Sequence, residues 1–154
     1  MTPAINVDPA RMGVGNRELL TFDTQLTSAQ VKALAATNID LAPAPGAGKA
    51  LVPVAVLYFL DRNAAYDDAA ADGDLILAYK TTQTALITSQ ADAFIDAAAD
   101  AAKFETLPDA DLALEEDTAL VLDNDGAEFT GDAGNLNTLS VRVYYFVVPF
   151  TPFG

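Results

Sequence analysis

The stretch Thr138-Leu139-Ser140-Val141-Arg142-Val143-Tyr144-Tyr145-Phe146-Val147-Val148-Pro149 decides the fold class. Leu139, Val141, Val143, Tyr145 and Val147 alternate with Ser140, Arg142, Tyr144, Phe146 and Val148. A period of two is the signature of a β-strand, whose successive side chains point to opposite faces. The first two-thirds reads apolar on one face and polar on the other. The last third is apolar on both, so not all of its rings can enter one core.

A second strand, Ala50 to Leu60, has the same character. Val52, Val54, Val56 and Tyr58 alternate with Leu51, Ala55, Leu57 and Phe59, and both faces are apolar. Such a strand is covered on both sides or lies at an interface. Shorter strand signals occur at Asn38–Ala42, Asp74–Lys80, Thr84–Thr88, Phe104–Leu107, Thr118–Leu122 and Glu128–Thr130. Turn chemistry separates them: Pro43-Ala44-Pro45-Gly46-Ala47-Gly48, the polar loop Asp61–Gly73, Asp123-Asn124-Asp125-Gly126, and Gly131–Asn137. Many short strands punctuated in this way imply a mainly β fold, an antiparallel β-sandwich with a jelly-roll-like body. Two helices are expected. Thr27 or Ser28 caps a short one over 27–36, with Val31, Leu34 and Ala35 on one face. The other is the Ala-rich Ala91–Lys103, where Asp92, Asp96 and Asp100 line one face and Phe94, Ile95, Ala98 and Ala102 another.

Residues 1–22 differ from the rest. They hold Pro3, Pro9, Gly13 and Gly15, and Arg11 and Arg17 balance Asp8 and Glu18. We read them as an extended N-terminal arm, with the sandwich domain over 23–154. The neutral arm leaves the domain with the whole net charge of -14. Thirteen of the acidic residues, with one lysine, lie between Asp92 and Asp132.

Composition excludes several function classes. The 154 residues include no Cys and no His. That removes disulfides, thiol nucleophiles, thiolate or imidazole metal ligands, and a Ser-His-Asp triad. The acidic balance opposes binding to nucleic acid or to an anionic membrane surface. The N-terminus lacks the basic and apolar regions of a signal peptide. The most apolar run, Leu51 to Leu60, is about half of what a spanning helix needs.

The chemical motifs reduce to turns. Gly46-Ala47-Gly48-Lys49 has Pro43 where a phosphate-binding loop needs Gly and Ala50 where it needs Ser or Thr. Asp123, Asp125 and Gly126 resemble part of a calcium loop, but Val121 stands at its first ligand position and Asp132 at its last. Asp67, Asp68, Asp72 and Asp74 form a looser acidic cluster. No catalytic residue, cofactor or metal ligand is assigned. Five of thirteen aromatic residues, Tyr144, Tyr145, Phe146, Phe150 and Phe153, lie near the C-terminus. With the doubly apolar strand they point to a subunit interface, for which Val56, Tyr58, Tyr144, Phe146, Phe150 and Phe153 are the candidates.

Two stretches carry a resemblance. One runs Ile39-Asp40-Leu41-Ala42-Pro43-Ala44-Pro45-Gly46-Ala47-Gly48-Lys49 into the strand ending at Leu60-Asp61. The other joins Ala119–Leu122, Gly126-Ala127-Glu128-Phe129-Thr130-Gly131 and Leu139-Ser140-Val141-Arg142-Val143-Tyr144-Tyr145. This layout resembles small structural proteins of tailed phages, of the capsid decoration or cement type. It implies a β-sandwich on the outer surface of the capsid in the virion, a homotrimer, and the major capsid protein as partner. Arg11 and Arg17 would be the arm residues that reach the shell. A tail, collar or spike component, and a sugar- or calcium-binding sandwich module, are the alternatives.

Overall fold

The computed structural model describes residues 18–67, 73–89, 94–108 and 112–151. Its strands are β1 (Leu20–Thr27), β2 (Ile39–Ala42), β3 (Lys49–Asp61), β4 (Tyr66–Asp67), β5 (Leu75–Tyr79), β6 (Ala85–Ser89), β7 (Ala101–Thr106), β8 (Leu120–Asn124), β9 (Thr130–Gly131) and β10 (Thr138–Pro149). One helix, α1 (Ser28–Lys32), follows β1. The long strands form two antiparallel four-stranded sheets, in the orders β1-β10-β3-β7 and β2-β8-β5-β6. A two-stranded ribbon pairs β4 with β9. The fold is an antiparallel β-sandwich.

The strand at Thr138–Pro149 has the bounds its alternation predicts. It pairs with β3 along its whole length. Leu139, Val141 and Val143 lie opposite Leu60, Tyr58 and Val56, and all six face the core. From the second sheet come Leu41, Leu75, Leu77, Tyr79, Ile87, Leu120 and Leu122. On β5, Ile76 and Ala78 take the opposite parity and meet Val121 in a separate small cluster. The register of β10 on β3 slips between Tyr144 and Tyr145, so Val54 has no direct partner. Pro53 sits beside this bulge, beyond the Ala55–Leu60 segment that pairs with β7. Its missing N–H therefore interrupts no continuous ladder, which is how an inner strand tolerates proline.

The first helix is short but well capped. The Thr27 side chain accepts from the Gln30 N–H, and the Gln30 side chain accepts from the Thr27 N–H. This is a capping box. Val31 and Leu34 are buried against the core. The second expected helix is corrected over its C-terminal part. Residues 91–93 lie outside the described residues, Phe94 has helical backbone, residues 95–100 do not, and Ala101 to Lys103 belong to β7. Phe94 and Ile95 do enter the core, and the Phe94 ring packs on Tyr58 at 5.8 Å. The chain then turns to supply the ladder partner that β3 needs over Ala55–Leu60. Six residues of sheet pairing outweigh an alanine propensity of tenths of a kcal/mol per residue, already offset by repeated aspartates at i,i+4. The arm boundary also shifts: Leu20, Thr21 and Phe22 are part of β1, in register with Tyr145, Tyr144 and Val143.

Two loops are held by polar groups, those of the first buried. The Tyr66 hydroxyl donates to Ser28 Oγ at 3.0 Å, and Ser28 is in turn hydrogen-bonded to Asp132. The Asp132 carboxylate accepts from the Leu136 and Asn137 N–H groups, both at 3.0 Å. The Asn137 side chain accepts from the Asn63 and Ala64 N–H groups. Burial alone would raise the Asp132 pKa. The hydrogen bonds from Ser28, Leu136 and Asn137, with the charge of Lys32, outweigh it and hold the carboxyl below its ordinary value. At the other loop, Gly73 packs directly on the turn after β8. Asp74 N–H donates to Asp125 Oδ1 at 2.7 Å, and a methyl group on Gly73 would overlap the Gly126 backbone nitrogen and the Asn124 amide oxygen.

Two predictions follow from these loops. Gly73→Ala should lower stability by about 2 kcal/mol or more, read from the denaturant midpoint, because the obstacle is backbone that has to move. Asp132→Asn should cost about 1–3 kcal/mol at neutral pH, since an amide cannot accept from both N–H groups without aiming a donor at one of them. A carboxyl with a lowered folded pKa stabilises above its unfolded value of about 3.9, and that contribution fades as pH falls through the folded pKa. The gap between Asp132→Asn and the parent should therefore narrow below about pH 4 in denaturant titrations; a gap constant with pH would contradict the assignment.

Candidate interaction surface

Strand parity sends the core residues of the first sheet inward and leaves the opposite set on its outer face. Across the ladders, Gln25, Ser140, Phe59 and Ala102 form one row. Asp23, Arg142, Leu57 and Phe104 form the next, and Thr21, Tyr144, Ala55 and Thr106 the third. Beyond the bulge, Phe146 lies opposite Val52 and Val148 opposite Ala50. Phe59 is 47% and Phe104 58% exposed, which is unusual for phenylalanine on a sheet face. The Phe104 ring meets Tyr144 edge-on, with centroids 6.2 Å apart and planes at 72°. This is the favoured geometry for an aromatic pair. Beside these rings lies an open groove of about 510 Å³, lined among others by Leu57, Phe59, Ser140, Gln25 and Arg142.

The face carries almost no net charge. The Arg142 guanidinium grips Asp23 with two parallel hydrogen bonds, Nε to Oδ1 and Nη2 to Oδ2, both 2.6 Å. Hydrogen bonding from Arg142 holds the Asp23 carboxyl below its ordinary pKa, so both partners stay charged and cancel. Asp61 stands at the lip of the face, opposite Thr138. Lys103 and Glu105 take the inward parity of the edge strand and form a 3.0 Å ion pair with each other.

The structure separates the candidate residues named from the sequence. Val56 and Tyr58 are fully buried between the sheets and offer no surface to a second subunit. The outward residues of that strand are their neighbours Leu57 and Phe59. Tyr144 and Phe146 do lie on the outer face, half-buried. Phe150 is exposed past the end of β10, where its N–H donates to the Gly48 carbonyl at 2.7 Å. Arg11, Arg17 and Phe153 lie outside the described residues. Phe59 and Phe104 are the surface residues that the sequence reading did not single out. The signal for Phe59 was Asp61: a charged residue at the strand end points outward, and stepping back by two reaches Phe59 and then Leu57.

The acidic turns have their own partners. Gly46 N–H donates to Asp117 Oδ1 at 2.8 Å and Gly48 N–H to Glu116 Oε1 at 2.6 Å. The amides that would cradle a phosphate are thus occupied by carboxylates. Asp123 Oδ1 accepts from the Asn124 N–H, and Asp125 Oδ1 from Asp74. Among the described residues, no group of three or more Asp or Glu is placed to hold a metal ion. The side chains of Asp67, Asp68 and Asp72 lie outside the described residues. Tyr79 is a structural group: burial pushes its pKa up to about 12, and its hydroxyl donates to the Leu51 carbonyl.

No protein-family model matches the chain, and no curated protein matches it. A solved structure titled "Cyanophage Pam1 capsid asymmetric unit" is similar to it with a TM-score of 0.47 and 15% sequence identity, covering 86% of this chain and 85% of that chain.

Because Phe59 and Phe104 are exposed in the single chain, replacing both by Ser should leave the stability of the monomer within about 0.5 kcal/mol of the parent. Denaturant unfolding at concentrations where both proteins are monomeric checks this; a loss of about 2 kcal/mol there would mean that the rings belong to the core.

Proposed function

We propose that the chain is a virion structural protein of a tailed phage. In this reading it is a decoration protein that sits on the outside of the head shell as a homotrimer, stabilises it, and catalyses no reaction. The strand order carries the reading. With the short β4–β9 ribbon set aside, the eight remaining strands, numbered along the chain, lie in the orders 1-8-3-6 and 2-7-4-5. This is jelly-roll order, two Greek keys folded on each other, an architecture common to viral capsid, lectin and cupin domains. A fold alone does not select a role. Cupin chemistry is disfavoured because the chain has no His to bind a metal.

Surface character agrees with the decoration role. A body of net charge -14 resists aggregation when many copies crowd one particle. Contacts that are individually weak gain strength by repetition over a lattice. Residues 1–17 hold Arg11 and Arg17 against the single acid Asp8, unlike the acidic body, and in this reading they reach the shell.

Co-sedimentation with expanded heads built from the major capsid protein of the same genome tests the proposal. The chain should pellet with heads to saturation and raise the temperature at which they disrupt. Deleting residues 1–17 should weaken binding by about tenfold or more. Binding to purified tails alone would assign the protein to the tail, and binding to neither would overturn the virion reading. Unchanged head binding after the deletion would remove the arm from the contact.

A further inference from the structure

We propose that the outer face of the first sheet is where one copy of this chain docks on another. The inference deepens the reading above, since a homotrimeric decoration protein needs a self-interface, but its observations are independent of the shell. Four properties of the face identify the occupant.

The first is apolarity. Phe59 and Phe104 stand out beside Leu57, Tyr144 and Phe146, which is the aromatic composition of an interface centre. The second is charge. Two copies of net charge -14 repel wherever their acidic surfaces meet. On this face Asp23 and Arg142 cancel, and Asp61 is only at the lip. A second copy is repelled least here, whereas a basic partner finds no acidic field to bind.

The third property is shape. On one row the Phe59 ring rises between Ser140 and Ala102, two small neighbours across the ladders. The groove floored by Leu57 and Ser140, about 510 Å³, lies next to it. Ridge and groove on the same face are what self-association requires. The fourth is that the charges at the centre of the face already satisfy each other. Its one central ion pair is already bidentate, so burial would leave no charge unpaired.

Sedimentation velocity over a dilution series is the test, on the full chain and two variants. The double variant Phe59→Glu/Phe104→Glu places acid on both exposed rings. The control variant, Thr88→Glu, places one on the exposed edge strand of the second sheet. The parent and the control should sediment as the same oligomer. The double variant should be monomeric, or have self-affinity reduced by about thirtyfold or more, with an unchanged circular dichroism spectrum. A parent that is monomeric throughout overturns the inference, as does a folded double variant that stays oligomeric. A monomeric parent that associates only after residues 1–17 are deleted also overturns it, by showing that the arm covers the face in the same chain. Head binding is scored separately: an oligomer broken by the double variant that never pellets with heads keeps this inference and removes the decoration role, and a monomer that pellets does the reverse.

Discussion

The pairing of β10 with β3 is the constraint on which the rest of the molecule depends. Twelve consecutive residues of one strand lie along the other, interrupted by a single bulge. Each strand then holds an edge strand on its far side, β1 on β10 and β7 on β3. The pair joins residues 77 to 100 positions apart in sequence, so it has a high loop-closure cost and must be repaid by packing. The inner rows repay it. Leu139 with Leu60, Val141 with Tyr58 and Val143 with Val56 are each buried and opposed by leucines, Tyr79 and Ile87 of the second sheet.

The same pairing creates the exposed face. A strand alternates strictly, so each residue that fills the core fixes the direction of its neighbour. Placing Tyr58 inward places Phe59 outward, and placing Val143 inward places Tyr144 outward. An ordinary surface strand would carry polar residues at those points, as Ser140 and Arg142 do. Phe59, Leu57, Tyr144 and Phe146 break that pattern on two adjacent strands, and Phe104 extends it to the edge strand. A run of aromatic side chains on neighbouring strands, with its only central charges neutralised by each other, is a surface shaped for contact.

Much of this was legible in the sequence, for physical reasons that can be named. β10 and the turns around Gly46 and Gly126 stand out because alternation and turn chemistry are local. The short helix was visible through the cap at Thr27 and the spacing of Val31 and Leu34. The first half of the strand at Ala101–Thr106 was misread as helix, although Phe104–Leu107 was read as strand, because what extends the strand is the open side of β3, which no local window contains. β1 was missed as a strand, and its first three residues were read as arm, because Leu20-Thr21-Phe22 looks unremarkable without Tyr145, Tyr144 and Val143 beside it. The error in the interface residues was one of parity. On β10 the charge of Arg142 marks the outward set, and that set contains Tyr144 and Phe146. Inside Leu51–Leu60 no charge marks a face, and Val56 and Tyr58 were chosen where Leu57 and Phe59 are the outward residues.

Amide hydrogen exchange of the dilute protein tests the central role of the β10–β3 pair most directly. Core strands exchange only through global opening, while edge strands also open locally. The account predicts that amides of Val56, Tyr58, Val141 and Val143 are the slowest in the chain and share one opening free energy, with those of β1, β7 and the β4–β9 ribbon faster. If β3 and β10 exchanged as fast as the edges, or with different opening free energies from each other, the pair would not be the element that holds the sandwich together.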